Sequence, residues 1–173
     1  MGTAGSYTPE KLVMCVLSSS PGSAGDLRAV LTDAWGDIDF SSPPIPFTFT
    51  HYYEPEMGPG IVRTFLSFQR LVDPACFAGV KLLTNTLEDR FRVNGARRVN
   101  LDPGLMALSR FSLATTKESA HRVPLSAGIY AEVTLLYSKT GFRPLEWTYP
   151  DFRTPAYLSV LGEIRALYKA QLR

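Results

Sequence analysis

The sequence predicts an α+β protein built on an enlarged antiparallel sheet and closed by a C-terminal helix. Three observations carry that class. "KLVMCVL" at 11–17 is a continuous apolar run of strand formers, the residues after "LVDP" are apolar at helical spacing, and later segments alternate apolar and polar as half-buried strands do.

The first run ends at "SSSPGSAGD", which reads as a loop, and Asp26 then caps a helix whose apolar face is Leu27, Val30, Leu31 and Ala34, with Gly36 ending it. In "SSPPIPFTFTHYY", Ile45, Phe47, Phe49 and His51 share one parity and Thr48, Thr50 and Tyr52 the other, so a strand is expected after a proline-stiffened entry. "EPEMGPG" is turn chemistry and pairs that strand with a second one over 61–72. Asp73-Pro74 opens a second helix as cap and first-turn proline. Phe77, Val80, Leu83, Leu87 and Phe91 continue it until Asn94-Gly95 stops it, and "RRVNL" follows as a short strand.

The order so far is β-α-β-β-α-β, that of a ferredoxin-like core with both helices on one face of an antiparallel sheet. Residues 111–116 and 129–137 read as further strands that enlarge the sheet, and a turn follows at Lys139-Thr140-Gly141. Tyr157, Leu158, Leu161, Ile164, Leu167 and Tyr168 form the buried stripe of a last helix from about 155 to 172. No repeat or linker divides the chain, so one domain over 1–173 is expected, with 1–10 as a flexible lead.

Composition narrows the function classes. A 173-residue chain that is 45% hydrophobic and 20% charged is that of a folded globular protein. A net charge of +2 is too small for nucleic-acid binding through bulk charge. Cys15 and Cys76 have neither CxxC spacing nor further sulfur ligands nearby, and both read as buried free thiols. The apolar run at 12–17 is too short to span a bilayer and no signal-peptide pattern precedes it, so a cytoplasmic protein without membrane attachment is expected.

Residues 97–122, "RRVNLDPGLMALSRFSLATTKESAHR", hold five basic side chains, a histidine, two carboxylates and five hydroxyls around short apolar runs. That density of charge exceeds what the solvation of two strands requires, and it reads as the wall of a site. Glu132 sits in the apolar strand "GIYAEVTLLY" with Tyr130 and Thr134 on its side. A buried carboxylate there needs a cation or a ligand, and Arg110, Lys117, His121 and Arg122 are the nearest candidates. If 110–116 and 129–137 pair, Arg110 or Thr116 is expected beside Glu132; the plainer alternative is an ion pair on an open sheet surface. Asp102, before Pro-Gly, is a further candidate, although that position is also ordinary turn chemistry.

Two other constellations favour plainer roles. His51, Glu54 and Glu56 in "HYYEPEMG" lie where metal ligands often do, but His51 shares parity with Phe47 and Phe49 and reads as a core-edge histidine beside solvated carboxylates. "EWTYPDFRTPAY" brings Trp147, Tyr149, Phe152 and Tyr157 with Asp151 and Arg153; packing is its first reading and stacking on a base its second. The loop with Gly22 and Gly25 lies where helix amides can hold phosphate, but it matches no phosphate-binding fingerprint. GxSxG, HExxH and CxxC are all absent.

The chain resembles a bacterial family of unknown function, the DUF4416 proteins. The resemblance rests on "PIPFTFTHYYEPEMG", "SFQRLVDP", "KLLTNTLE", "RRVNLDPG", "LATTKESAHRVPL", "GIYAEVTLLY" and "EWTYPDFRTPAY", which cover most of the chain from Lys11 to the last helix. It implies a bacterial protein and no particular reaction. Some members carry a GTP-binding label, but this sequence has no GxxxxGK[ST], and "NLDPG" resembles the segment after a strand in P-loop GTPases only superficially.

The expectation is therefore a small anionic-ligand site on a polar sheet face, with a nucleotide or phosphorylated metabolite as the leading class. Arg110, Lys117 and Arg122, with His121 beside them, are the charge partners, and Asp102, Glu132 and His121 are the acid–base groups. The competing reading joins Asp102, Glu132 and His121 to a divalent metal for phosphoryl hydrolysis or transfer. A third, an RNA-binding or scaffold module on the open sheet, ranks last because the RNP-type aromatic pattern is missing.

Overall fold

The structure, a computed structural model, describes residues 2–19 and 24–173. The "SSSPGSAGD" loop, apart from its ends, lies outside the described residues. The protein is α+β, with one large antiparallel sheet and a C-terminal helix. Among the described residues the strands are β1 (Glu10–Ser18), β2 (Ile38–Ser41), β3 (Ile45–Pro46), β4 (Val62–Val72), β5 (Val99–Met106), β6 (Arg110–Thr115), β7 (Val123–Pro124), β8 (Tyr130–Ser138) and β9 (Gly141–Pro144). The helices are α1 (Ala24–Trp35), α2 (Glu54–Met57), α3 (Phe77–Asp89) and α4 (Pro155–Gln171). None is long and apolar enough to cross a membrane.

The sheet runs β2-β4-β1-β5-β6-β8-β7, with β3 added to β4 and β9 to β8. β1 lies between β4 and β5, and its apolar run is continuous because both its faces are covered. Leu12, Met14 and Val16 pack with Leu27, Leu31 and Trp35 of α1 and with Phe77, Val80 and Leu87 of α3. Val13 and Cys15 point the other way, into a core shared with Phe65, Phe111 and Tyr157, Leu161 and Ile164 of α4. The result is three layers, with α1 and α3 on one side of the sheet and α4 on the other. The sheet face expected to be open is therefore half covered.

Lys11, fully buried at the start of β1, shows how polar groups lock the layers together. Its ammonium donates to Asp39 Oδ2 at 2.5 Å, Phe68 O at 2.9 Å and Gln171 Oε1 at 2.8 Å. Three protons thus meet three acceptors, from β2, β4 and the end of α4.

Several expectations need correction. The strand expected over 45–52 shrinks to Ile45–Pro46; Pro46 offers the ladder no N–H, and Phe47 N–H still donates to Ile61 O at 2.9 Å before the backbone turns irregular. Residues 47–53 run irregularly, and the expected turn holds the short helix α2. The expected pairing with β4 is kept at Ile45↔Arg63 and Pro46↔Val62, and β2, whose Ile38 and Phe40 alternate with Asp39 and Ser41, takes the next part of that edge. α3 stops at Asp89; Asn94 and Gly95, at φ 52° and 80°, make a tight turn that bridges Val93 to Ala96. Cys15 is buried but Cys76 is exposed, since the 3-10 turn at Pro74–Cys76 rather than the helix body carries it.

Candidate functional site

The site originates where β5 and β6 part. They pair only at Gly104↔Leu113, Leu105↔Ser112 and Met106↔Phe111. Gly104 is required at the last rung, because a Cβ there would run into the Phe111 ring and meet Ser112 O at 3.2 Å. Beyond it, over 99–103, the edge of β5 away from β1 has no strand beside it among the described residues. Side chains from α3 satisfy that edge instead. Lys81 Nζ donates to Leu101 O at 2.9 Å, and Leu101 N–H donates to Glu88 Oε1 at 2.7 Å. Pro103, on the same edge by strand alternation, has no N–H to satisfy.

The gap opens into a cleft of about 840 Å³. Its floor is Asp102, whose side chain keeps 28% of its surface accessible. Lys81 lies 3.7 Å from one of its oxygens, Arg63 lies 3.3 Å from the other, and Asn100 Nδ2 donates to that second oxygen at 2.8 Å. Burial alone would raise its pKa, but the two cations and the amide outweigh it and hold the carboxyl below its ordinary range. Arg63, on β4 and nearly fully buried, also reaches Asp151 Oδ2 at 3.4 Å and Cys15 O at 3.2 Å. Asp151 and Glu88 shift the opposite way, upward, because burial dominates over Arg63 at the first and over the Leu101 amide and Lys81 at the second.

The second wall comes from β6, β8 and the segment between them. Glu132 is almost completely buried opposite Leu113, and its Oε2 accepts from Arg122 Nε at 2.8 Å and meets His121 Nε2 at 3.0 Å. The expected cation for this carboxylate is therefore Arg122, with His121 beside it. The register shifts between Phe111 and Ser112, so Glu132, opposite Leu113, and Leu135, opposite Phe111, reach the same core face despite opposite parity. His121 stacks on Trp147 at 5.1 Å between centroids, and its Nδ1 lies 3.1 Å from Ser119 Oγ. Arg122 also donates to Lys117 O at 2.9 Å and Tyr149 Oη at 2.8 Å.

Across the mouth, the irregular segment after β3 supplies Phe47, Phe49, Tyr52 and Tyr53. Lys117 Nζ sits 5.3 Å from the Tyr52 ring centroid and forms no ion pair among the described residues. Glu56 of α2 is held by Arg97 through two bonds of 2.8 Å, which with the other guanidinium contacts lowers its pKa. Burial carries the Tyr53 phenol up to about 12, so it stays a neutral donor.

The sequence candidates thus divide. Asp102, Glu132, Lys117 and Arg122 line one cleft, and His121 stands behind it on Glu132. Arg110 does not join them. It pairs with Leu136, at the other end of the β6–β8 ladder from Glu132, and its Nη2 binds Glu10 at 2.5 Å. Thr116 lines the cleft, but it is not Glu132's cross-strand partner. The His51 side chain, 88% exposed, pairs with the nearby Glu54 at 2.9 Å. Arg63, Lys81, Glu88 and Asp151 were not legible as site residues. Each was masked by sitting in an apolar strand, a helical stripe or an aromatic segment. Among the described residues no group of three or more His, Cys, Asp or Glu side chains is placed to share a metal ion.

The chain matches the family described as a domain of unknown function (DUF4416) over residues 8–168, nearly its whole length, and belongs to that family. No curated protein and no solved structure matches it.

Proposed function

We propose that this DUF4416 protein binds a small anionic ligand, a nucleotide or a phosphorylated metabolite, in the cleft between β5 and β6. One observation carries the reading: the open edge of β5, the cations Lys117 and Arg122, and the rings of Tyr52 and Tyr149 all face a single cavity of about 840 Å³. That volume suits a ligand of nucleotide size. The rings offer stacking surfaces for a base, and the cations offer donors for a phosphate. Arg122 uses three N–H groups on Glu132, Lys117 and Tyr149, which leaves donors free for a ligand.

We read the β2-β4-β1-β5 part of the sheet as a ferredoxin-like core, with α1 between β1 and β2 and α3 between β4 and β5. β6 to β9 extend it and build the second wall. The two unpaired cysteines fit a reducing compartment, in keeping with a bacterial cytoplasmic protein.

A second reading, metal-dependent phosphoryl hydrolysis or transfer, has one observation in its favour. Asp102 is held ionised inside the cleft and is an oxygen donor for a hard cation such as Mg²⁺. Glu132 and His121 are already tied to one another and would have to part to join it.

A thermal-shift screen against nucleotides and sugar phosphates, with and without Mg²⁺, tests both readings. Binding in the cleft raises the melting temperature of the wild type and not that of Lys117→Ala. A shift that needs Mg²⁺ selects the second reading, and an equal shift in both proteins removes the cleft from consideration.

A further inference from the structure

The charges that line the cleft are matched. Arg63 faces Asp102 and Asp151, Lys81 faces Asp102, and Arg97 faces Glu56 and Glu88. Arg92 faces Asp89 and Glu56, and Arg122 faces Glu132. Six cations and six carboxylates line the cavity, and Lys117 alone among those cations has no carboxylate partner among the described residues. A cavity of this balance gives little field to hold a polyanion. A triphosphate would bring its charge against carboxylates already fixed in the floor, and like charges set side by side in a cleft are strongly unfavourable.

The free polar groups are also distributed unevenly. At the mouth stand Lys117 and the Tyr52 ring, 5.3 Å apart. The half-buried Asn85 and Tyr53 line the same cavity, the Asn85 amide and the Tyr53 hydroxyl with no hydrogen-bond partner among the described residues, and Asp102, which acts electrostatically on Tyr53, keeps part of its carboxylate accessible there. One cation at the rim matches one phosphate. An amide, a phenol and an acceptor carboxylate inside match the neutral donors and acceptors of a sugar or base.

Resting on the ligand-binding reading above, we infer that the cleft selects a monophosphorylated ligand of the nucleoside monophosphate kind over its di- and triphosphates. The phosphate sits against Lys117 and the spare Arg122 donors, and the ring system lies between Tyr52 and the inner polar groups. A phosphate monoester carries a charge of about −2 near neutral pH, which one lysine and the edge of one guanidinium can meet.

Isothermal titration of the full chain at low salt, without metal, tests this with adenosine and guanosine mono-, di- and triphosphates and with inorganic phosphate. The expected result is that at least one monophosphate binds about tenfold or more tightly than its triphosphate, a difference of about 1.4 kcal/mol. Lys117→Ala then abolishes the preference, and Asn85→Ala weakens the monophosphate while leaving inorganic phosphate unchanged. Equal or tighter triphosphate binding overturns the inference but leaves the ligand-binding reading standing. No binding by any of these probes overturns both, and a monophosphate preference that survives Lys117→Ala overturns the assignment of the phosphate position.

Discussion

Glu88 and Leu101 are joined by a hydrogen bond that a neighbouring strand would ordinarily supply: the Leu101 N–H donates to Glu88 Oε1 at 2.7 Å. With Lys81 on the Leu101 carbonyl, a helix takes over the edge of β5 and lets β6 swing away. Glu88→Ala leaves a buried amide without an acceptor and is expected to cost about 1–3 kcal/mol in denaturant unfolding. Glu88→Gln, which keeps an acceptor, costs less. Equal loss in both variants would mean that the negative charge, not the acceptor, is what matters.

Gly104 marks the point at which the ladder ends. Gly104→Ala places a methyl into the Phe111 ring and should destabilise the fold by about 1–3 kcal/mol through overpacking. Adding Phe111→Leu to Gly104→Ala makes room for the methyl, so the two effects should be non-additive in a double-mutant cycle.

The placement of Arg110 makes it a control. Arg110→Ala strips the partner from Glu10, a mostly buried carboxylate at the start of β1, so stability falls by about 1–3 kcal/mol. Ligand-induced shifts in melting temperature should be unchanged. Arg122→Ala differs on both counts, because it breaks a buried ion pair, a change that costs up to about 3–5 kcal/mol, leaves Glu132 with His121 alone, and removes a cleft donor.

The carboxylates around the floor give opposing pH dependences. Glu88 and Asp151, raised by burial, bind protons more tightly in the folded protein than in the unfolded chain. Stability therefore falls as pH rises from their ordinary values of 4.5 and 3.8 through their higher folded values. Asp102, with a lowered pKa, contributes stability that is present above its ordinary 3.8 and lost as pH falls through the folded value. Asp102→Asn should flatten the acid limb of a melting-temperature profile below that point. An unchanged limb would show that Lys81 and Arg63 do not act through it.

Much of the layer structure was legible. β1, α1, β4, α3, β8 and α4 each announce themselves by an apolar run, a cap or a periodic stripe, because each of them buries one face or both. β2 and β3 were not. β2 has four residues, and the alternation of Thr and Phe after Pro46 imitates a strand that the backbone does not continue beyond Pro46. "LDPG" misled in the opposite direction. Turn-type residues stand inside β5 for two reasons: Pro103 lies on an edge that meets no strand among the described residues, and Gly104, paired with Leu113, faces the Phe111 ring that leaves no room for a side chain.

The site was half legible for a related reason. Glu132 stood out as a carboxylate in an apolar strand, and Arg122 and His121 were within reach in sequence, so the cluster could be anticipated. Arg63 and Lys81 look like solvated charges in a strand and on a helix. Arg63 is turned inward by strand alternation on β4, on the parity of the buried Phe65, and Lys81 reaches the edge of β5 that β6 leaves free beyond Gly104.

The most direct test of the cleft is a crystal structure of the protein soaked with a nucleoside monophosphate. The account predicts density between β5 and β6, with the phosphate against Lys117 and Arg122 and the ring beside Tyr52. Ligand density on another surface, or an unoccupied cleft at concentrations that saturate binding in solution, would contradict it.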